Sequence, residues 1–476
     1  MTKYNAVTEE IIQQIKDAAP GHVLVGDAVN EDYAHDETMR VETVPKKPDV
    51  VVEARSTEEV AAVMKICNEN HIPVTPRGAG TGLSGGAWPL MGGVVITTEK
   101  MNKILGYDET NMIVRVQAGV LLATLAEDCT SRGLMYPPDP GQKFATLGGN
   151  ANTNAGGMRA VKYGTTRDYI REITVVLPTG KITKFGAPVV KNSSGYSLMH
   201  LMIGSEGTLG IITELTLKVV AAPKKTISLL APFGKEGDGL RCVPRMIRAG
   251  LNLEAAEFID RVSADKSAAY LGKEVFPKVV DGVECEVYLL MTFEGRTDDE
   301  LELEVERAAE ILQDSGSADI LVADTPALKK EMWSARDSLQ EAHVSLVKRT
   351  CSFDITIPIS ELADYMVFLR GLADEEKIHF SCFGHAGDGN LHIGYYDDSL
   401  SNEEFDERIE RVTEKAYARC KEIGGVISGE HGIGFERAKY LPAQVGEECI
   451  ELMQGIKQVF DPNLILNPGK VCFALD

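Results

Sequence analysis

Three short stretches of this chain carry so much glycine that they read as breaks in any helix or strand: PRGAGTGLSGG at 76–86, TLGGNANTNAGG at 146–157 and GSEGTLG at 204–210. Glycine inside a regular element costs about 0.5–1 kcal/mol against alanine. Five glycines among the eleven residues 76–86 therefore mark a backbone doing something that side chains would prevent. The first stretch follows a strand-like IPVTP and precedes a strand expected at 93–98, and the third leads into IITELTLKVV, which alternates as a strand does. The second mixes Asn and Thr with four glycines, and irregular backbone wrapped closely on a ligand is expected there.

Gly80, Gly82 and Gly85 satisfy GxGxxG, and Glu99 lies 19 residues beyond Gly80, the outline of a dinucleotide-binding βαβ turn. Such a turn must open a helix whose N-terminus meets the pyrophosphate. Here GAWPLMGGVVI follows, and Trp88-Pro89 with the paired Gly92-Gly93 would end that helix almost at once. The longer loop from Pro76 to Gly86 suits another task. Successive N–H groups clear of side chains form an anion nest around a diphosphate, and a plain surface turn has no need of so many glycines.

Composition narrows the partners. At 476 residues the chain is long enough for two or three domains of roughly 100–200 residues each. Against 49 basic residues stand 71 acidic ones, a net charge of −22 that repels nucleic-acid backbones and anionic lipid. A small anionic substrate would need a local cationic patch. The opening MTKYNAVTEE has no basic segment ahead of an apolar run, and nowhere do about 18 apolar residues run together, so export and a transmembrane segment are both disfavoured. The nine cysteines are scattered, with no CxxC and no CxxCH. That suits reduced thiols in a cytoplasmic protein and excludes the usual cysteine-ligated clusters and haem attachment. Redox work would rest on an organic cofactor or on a metal held by His and carboxylate.

Ser56–Glu59 reads as a capping box before a helix presenting Val60, Val63, Met64 and Cys67 on one face. A further strand is expected at 112–118. Past Ala221-Ala-Pro223 the composition shifts to long charged helices at 298–314 and 402–423, a strand at 286–293 and a last helix at 444–458. Segments 379–394 and 424–434 are expected as strand followed by loop. Of nine histidines, two sit in Gly384-His-Ala-Gly-Asp-Gly-Asn-Leu-His392, where a turn-forming AGDGN can fold them toward one point, and a third sits in Gly429-Glu-His-Gly432 beside a carboxylate. Two imidazoles and one carboxylate make a divalent-metal set with positions open for substrate, suited to Zn²⁺, Mn²⁺ or Fe²⁺.

PRGAGTGLSGG, Pro137-Pro-Asp-Pro140, TLGGNANTNAGG and GSEGTLGIITE, in that order and spacing, resemble the FAD-binding domain of the vanillyl-alcohol-oxidase-type flavoproteins. The branch is that of the GlcD-type glycolate oxidases, D-lactate dehydrogenases and D-2-hydroxyglutarate dehydrogenase, and the similarity covers about residues 40–476. It implies an α+β chain: a p-cresol-methylhydroxylase-type FAD-binding domain over 1–222 (core about 46–222), a substrate or cap domain with an antiparallel sheet over 223–425, and a segment 426–476 returning to the first domain. It implies that Pro76, Arg77, Gly78, Ala79, Gly80, Thr81, Gly82 and Gly85 cradle the diphosphate. Asp139, Thr146, Gly149, Asn152, Thr153 and Gly157 would line the flavin path, and Glu206, Gly210, Ile211 and Asn467 would also bind the cofactor. The first loop has no histidine, so non-covalent FAD is expected. The resemblance places one divalent metal on His385, His392 and Glu430, makes His431 the catalytic base, and makes the arginine of Trp333-Ser-Ala-Arg336 the grip on a substrate carboxylate.

Two departures point to a small acid. Relatives acting on 2-hydroxyglutarate have Lys where this chain has Cys351, three residues before Asp354, and Asn where it has Gly394, with Lys348 or Arg349 able to compensate. The expected reaction is oxidation of D-lactate or a similar 2-hydroxy acid, with hydride passing to flavin N5. Electrons would leave to an electron-transfer flavoprotein or an iron–sulfur protein in a heteromeric complex. A non-catalytic electron-carrier flavoprotein is the competing class. The chemistry requires 385, 392, 430 and 431 to converge.

Overall fold

The computed structural model describes residues 4–38 and 46–473. Contacts divide the chain into two units, one of Met1–Ala155, Thr165–Ala222 and Glu430–Asp476, the other of Gly156–Gly164 and Pro223–Gly429. Among the described residues no helix is long and apolar enough to cross a membrane.

The first unit is built on two sheets. One orders the strands Val23–Val25, Val50–Glu53, Val94–Thr97 and Val74–Arg77, the last three parallel. The other, antiparallel, orders Ile104–Asp108, Ile113–Gln117, Ile211–Lys218, Ile170–Val176 and Ile182–Gly186. Helix Thr57–Glu69 begins where Ser56 Oγ accepts from Glu59 N–H. Glu59 returns its carboxylate to Arg55 N–H and not to the cap residue, so the expected box is only half formed. The helix buries Val60, Val63, Met64 and Cys67 against Val50, Val52, Val74 and Val94. The edge strand Val74–Arg77 is covered by the C-terminal segment: Val74 N–H donates to Ile465 O at 2.8 Å and Asn467 N–H donates to Val74 O at 2.7 Å. Buried Lys457 locks that segment by donating to Thr208 O, Leu466 O and Asp461 Oδ2.

Two expectations fail here. Segment 146–157 is not irregular, because Leu147–Thr153 form a short helix. Thr146 Oγ1 caps it by accepting from Gly149 N–H, and Asn154 ends it at a φ of 52°. Gly148 lets it press against the neighbouring strand, since a Cβ there would stand 2.7 Å from Ala118 Cβ. Close packing thus outweighs the poor helix propensity of glycine. The last helix is also divided, into Leu441–Val445 and Glu447–Phe460, by Gly446 at a φ of 90°.

The second unit carries a seven-stranded antiparallel sheet in the order Leu321–Ala323, Lys225–Phe233, Val287–Gly295, Leu253–Asp260, His379–His385, Asn390–Tyr396, Thr350–Thr356. Residues 156–164 belong with it because Arg159 pairs with Glu254 at 2.8 Å and both Lys162 and Tyr163 bond to Glu294. Helices Asp298–Asp314 and Asn402–Glu422 form almost where expected. Segment 379–394 differs: both halves are strands, joined in a hairpin. Residues 424–429 form no strand and touch the sheet only at the bridges Val426↔Thr356 and Ser428↔Asp354. On one sheet face Ile259 and Phe383 pack into a core with Ala264, Met332, Ala335 and Leu339. Strand side chains alternate, so Glu257 and His385, each two residues from these, share that face.

Gly389 closes the histidine hairpin at a φ of 85°, where a Cβ would lie 2.0 Å from Ile357 O. Gly389→Ala is expected to destabilise the protein by about 2 kcal/mol or more, read as a lowered urea midpoint. An unchanged midpoint would refute this account of the turn.

Candidate functional site

The first unit ends its edge strand in the glycine loop. Among the described residues, none of the N–H groups from Gly78 to Gly82 donates to a protein acceptor, and all five residues are half-buried. Buried Asn150 Nδ2 and Ser205 Oγ likewise lack a protein partner among the described residues. Orphaned donors of this kind fit a bound anionic or carbonyl-rich cofactor.

The side chains expected to touch the cofactor mostly hold the loops together. Arg77 turns beneath the loop, its Nη1 donating to His35 O at 2.6 Å, and a Cβ on Gly80 (φ of 74°) would meet its guanidinium at 1.9 Å. Gly85 N–H donates to Thr38 Oγ1 at 2.6 Å. Pro76 packs under Gly207, where a Cβ would come within 2.5 Å of its ring. Asn152 bridges Gly148 O and Gly207 N–H, Thr153 Oγ1 donates to Gly149 O, and Asp139 pairs with Lys143 at 2.5 Å. Gly210 leaves room for Val175 ahead of buried Ile211. Asn467 donates to both Gly86 O and Glu206 O. Buried Glu206 accepts from Ile433 and Gly434 N–H at 2.8 Å each, yet burial still pushes its carboxyl up to about 7. Gly157 belongs to the second unit. The cradle offers backbone, while most of these side chains face inward.

His431 sits on the same loop, since Ser84 Oγ donates to His431 O at 3.1 Å. Glu430, the first residue of this last segment, follows Gly429 directly.

In the second unit the two hairpin histidines meet. His385 Nε2 and His392 Nε2 lie 3.4 Å apart. His385 Nδ1 faces Glu257 Oε1 and Oε2 at 2.8 and 3.0 Å. A carboxylate only accepts, so Nδ1 carries the proton and Nε2 presents a lone pair, an assignment made from partners. Arg336, on helix Pro326–Asp337, donates from Nε and Nη2 to Glu257 Oε2 at 2.7 and 2.6 Å. Burial alone would raise the Glu257 carboxyl, but Arg336 and His385 outweigh it and hold it below the ordinary glutamate value. Glu257 is fully buried and Arg336 is 6% exposed. Opposite His392 stands Asp354, whose carboxylate accepts from Asn390 Nδ2 at 2.8 Å and Ser428 Oγ at 2.9 Å. The donor set fits a divalent cation: two imidazole nitrogens facing each other, one fixed by a carboxylate behind it.

Sequence reasoning missed Glu257; the signal was a lone acid inside the otherwise apolar AAEFI of a strand. The substrate-size argument also changes. Cys351 stands an odd number of residues from Asp354 and so points to the opposite sheet face, away from the histidines. Gly394 shares their face, and His343 occupies its missing side chain's space, with a Cβ there meeting His343 Cε1 at 2.6 Å. Arg349 is committed to Asn402 and Leu400 O, and Lys348 is exposed, so neither compensates. Lys266 stands here instead, donating to His343 Nδ1 at 2.8 Å over the Tyr396 ring, its amine pushed down to about 8 by burial.

Residues 48–186 match the family described as FAD binding domain, and residues 222–471 match FAD linked oxidases, C-terminal domain. A D-lactate dehydrogenase of Anaerostipes hadrus is 52% identical over 99% of both chains. The glycolate oxidase component GlcD of Bacillus subtilis is 36% identical over 93% of this chain and 92% of its own. Among solved structures, p-cresol methylhydroxylase with substrate bound superposes with a TM-score of 0.80 at 18% identity, covering 99% of this chain and 98% of that one. The fold is therefore the α+β, p-cresol-methylhydroxylase-type architecture expected from the motifs.

Gly80→Ala is expected to weaken flavin retention at least about tenfold. Absorbance near the flavin band after dialysis measures this, and full yellow colour in the variant would refute the cradle.

Proposed function

The chain belongs to the family of FAD-linked oxidases, and from that premise we propose that it oxidises a small D-2-hydroxy acid, D-lactate to pyruvate, with a divalent metal. The observation that carries the reading is the meeting of three groups on one sheet face: two imidazole nitrogens 3.4 Å apart and a buried guanidinium whose Nη2 lies 3.4 Å from the nearer ring.

Each residue then has a task. Arg336 binds the substrate carboxylate through Nη1, because its Nε–Nη2 edge is held by Glu257. His385, His392 and Glu430 hold the cation, which would polarise the hydroxyl as a Lewis acid. Glu430 is supported by chain continuity: it stands about 3.8 Å, Cα to Cα, from Gly429. Gly429 N–H in turn donates to Asp354 O at 3.1 Å, and Asp354 faces His392 in register. His431, whose carbonyl rests on Ser84, takes the hydroxyl proton. FAD, bound without a covalent link, supplies the acceptor for the hydride from Cα. Reduced flavin passes electrons to an external acceptor, an electron-transfer flavoprotein or an iron–sulfur protein of the same complex. All nine cysteines are free thiols, which supports a reducing, cytoplasmic setting. Glycolate is the nearest alternative substrate. Lys266, a cation on the histidine face with no carboxylate bonded to it among the described residues, favours D-2-hydroxyglutarate as a second reading.

Anaerobic titration of the purified protein with D-lactate, L-lactate, glycolate and D-2-hydroxyglutarate decides the substrate by flavin bleaching. D-lactate is expected to bleach fastest and a chelator to abolish it; bleaching that survives complete metal removal would overturn the metal role. His385→Ala and Glu430→Gln should lose metal. His431→Ala should keep metal and FAD while slowing flavin reduction by about 10²–10⁴-fold. Arg336→Lys should chiefly raise KM, since an ammonium lacks the planar fork.

A further inference from the structure

We propose that Glu257 is a positioning residue that sets, at once, the tautomer of His385 and the orientation of Arg336, making the metal-ligand position and the acid-binding position one mechanical unit. This rests on the reading of His385 as a metal ligand and deepens it.

Glu257 lies on strand Leu253–Asp260 directly opposite His385, with no exposed surface. A carboxylate in such a place is costly unless every oxygen is matched. Here Oε1 and Oε2 face His385 Nδ1, and Oε2 also takes both Nε and Nη2 of Arg336. The matching has a chemical consequence. Being purely an acceptor, Glu257 keeps the His385 proton on Nδ1, so the lone pair stays on Nε2, the atom facing His392. The 3.4 Å approach of Arg336 Nη2 to His385 Nδ1 is then a contact between two donors, tolerated because both serve the same carboxylate. The anion also fixes which part of Arg336 remains for a ligand. With one edge spent on Glu257, Nη1 is left, so the acid-binding donor and the metal-binding nitrogen hang from opposite sides of a single buried group.

Glutamine has the same shape but one acceptor oxygen and one amino group, and so cannot serve both partners. If its oxygen faces Arg336, its amino group drives the His385 proton to Nε2 and removes the lone pair. If its oxygen faces His385, its amino group opposes the guanidinium. Either way one half of the site fails while packing is preserved.

The test compares wild type with Glu257→Gln in three measurements: zinc and manganese affinity by chelator competition, KM and kcat for D-lactate, and ¹⁵N NMR of the His385 ring in metal-free protein, assigned by its loss in His385→Ala. Wild type is expected to show His385 protonated at Nδ1. The variant is expected to bind metal at least about tenfold more weakly, or to raise KM with kcat little changed, according to which way its amide settles. A variant with wild-type metal affinity and wild-type KM would overturn the proposal. If the variant does not fold, the wild-type spectrum still decides, because His385 protonated at Nε2 overturns it. Should wild type bind neither metal, the ligand reading fails while the tautomer and KM measurements continue to judge Glu257.

Discussion

Antiparallel register on one sheet governs the chemistry of the second unit. Glu257 stands opposite His385, and His392 stands opposite both Phe383 and Asp354. Because strand side chains alternate, a slip of one residue would turn this whole set to the other face. The hairpin at Gly389 pins the register where it matters, between the two histidine strands, and apolar Ile259 and Phe383 hold the same face against helices. A polar site thus stands on a face whose remaining positions are core.

The first unit solves the opposite problem. A large anionic cofactor is met by backbone N–H groups, which require side chains to be out of the way, and the loops bearing them must still be rigid. Rigidity comes from polar side chains turned inward: Arg77 on His35 O, Asn152 between Gly148 and Gly207, Asn467 between Gly86 and Glu206, and Glu206 on the segment following His431. Several residues named as cofactor contacts by resemblance are therefore also the struts of the cradle.

Electrostatics follow the same division. A chain of net charge −22 attracts an acid only through local cations, and the second unit buries two near its histidines. Arg336 is neutralised by Glu257, leaving directional donors with little free charge. Among the described residues, Lys266 is bonded only to His343 and Ser381 and lies over the Tyr396 ring. The first arrangement favours geometric recognition of a carboxylate; the second leaves a less compensated positive charge on the same face.

The sequence by itself determined the glycine loops, the alternating strand after 210, the charged helices and the histidine pair, because those features depend on residue type and near-neighbour spacing. It misjudged the helix at Leu147–Thr153, where tight contact between Gly148 and Ala118 overrides propensity. It could not find Glu257, which meets His385 across 128 residues, nor see that Cys351 faces away while His343 fills the space beside Gly394. Those facts exist only once strands pair, since pairing alone decides which distant residues stand opposite and which face each presents. A buried acid in a strand has no local reason to be there; its reason is the arginine and histidine that tertiary structure brings to it.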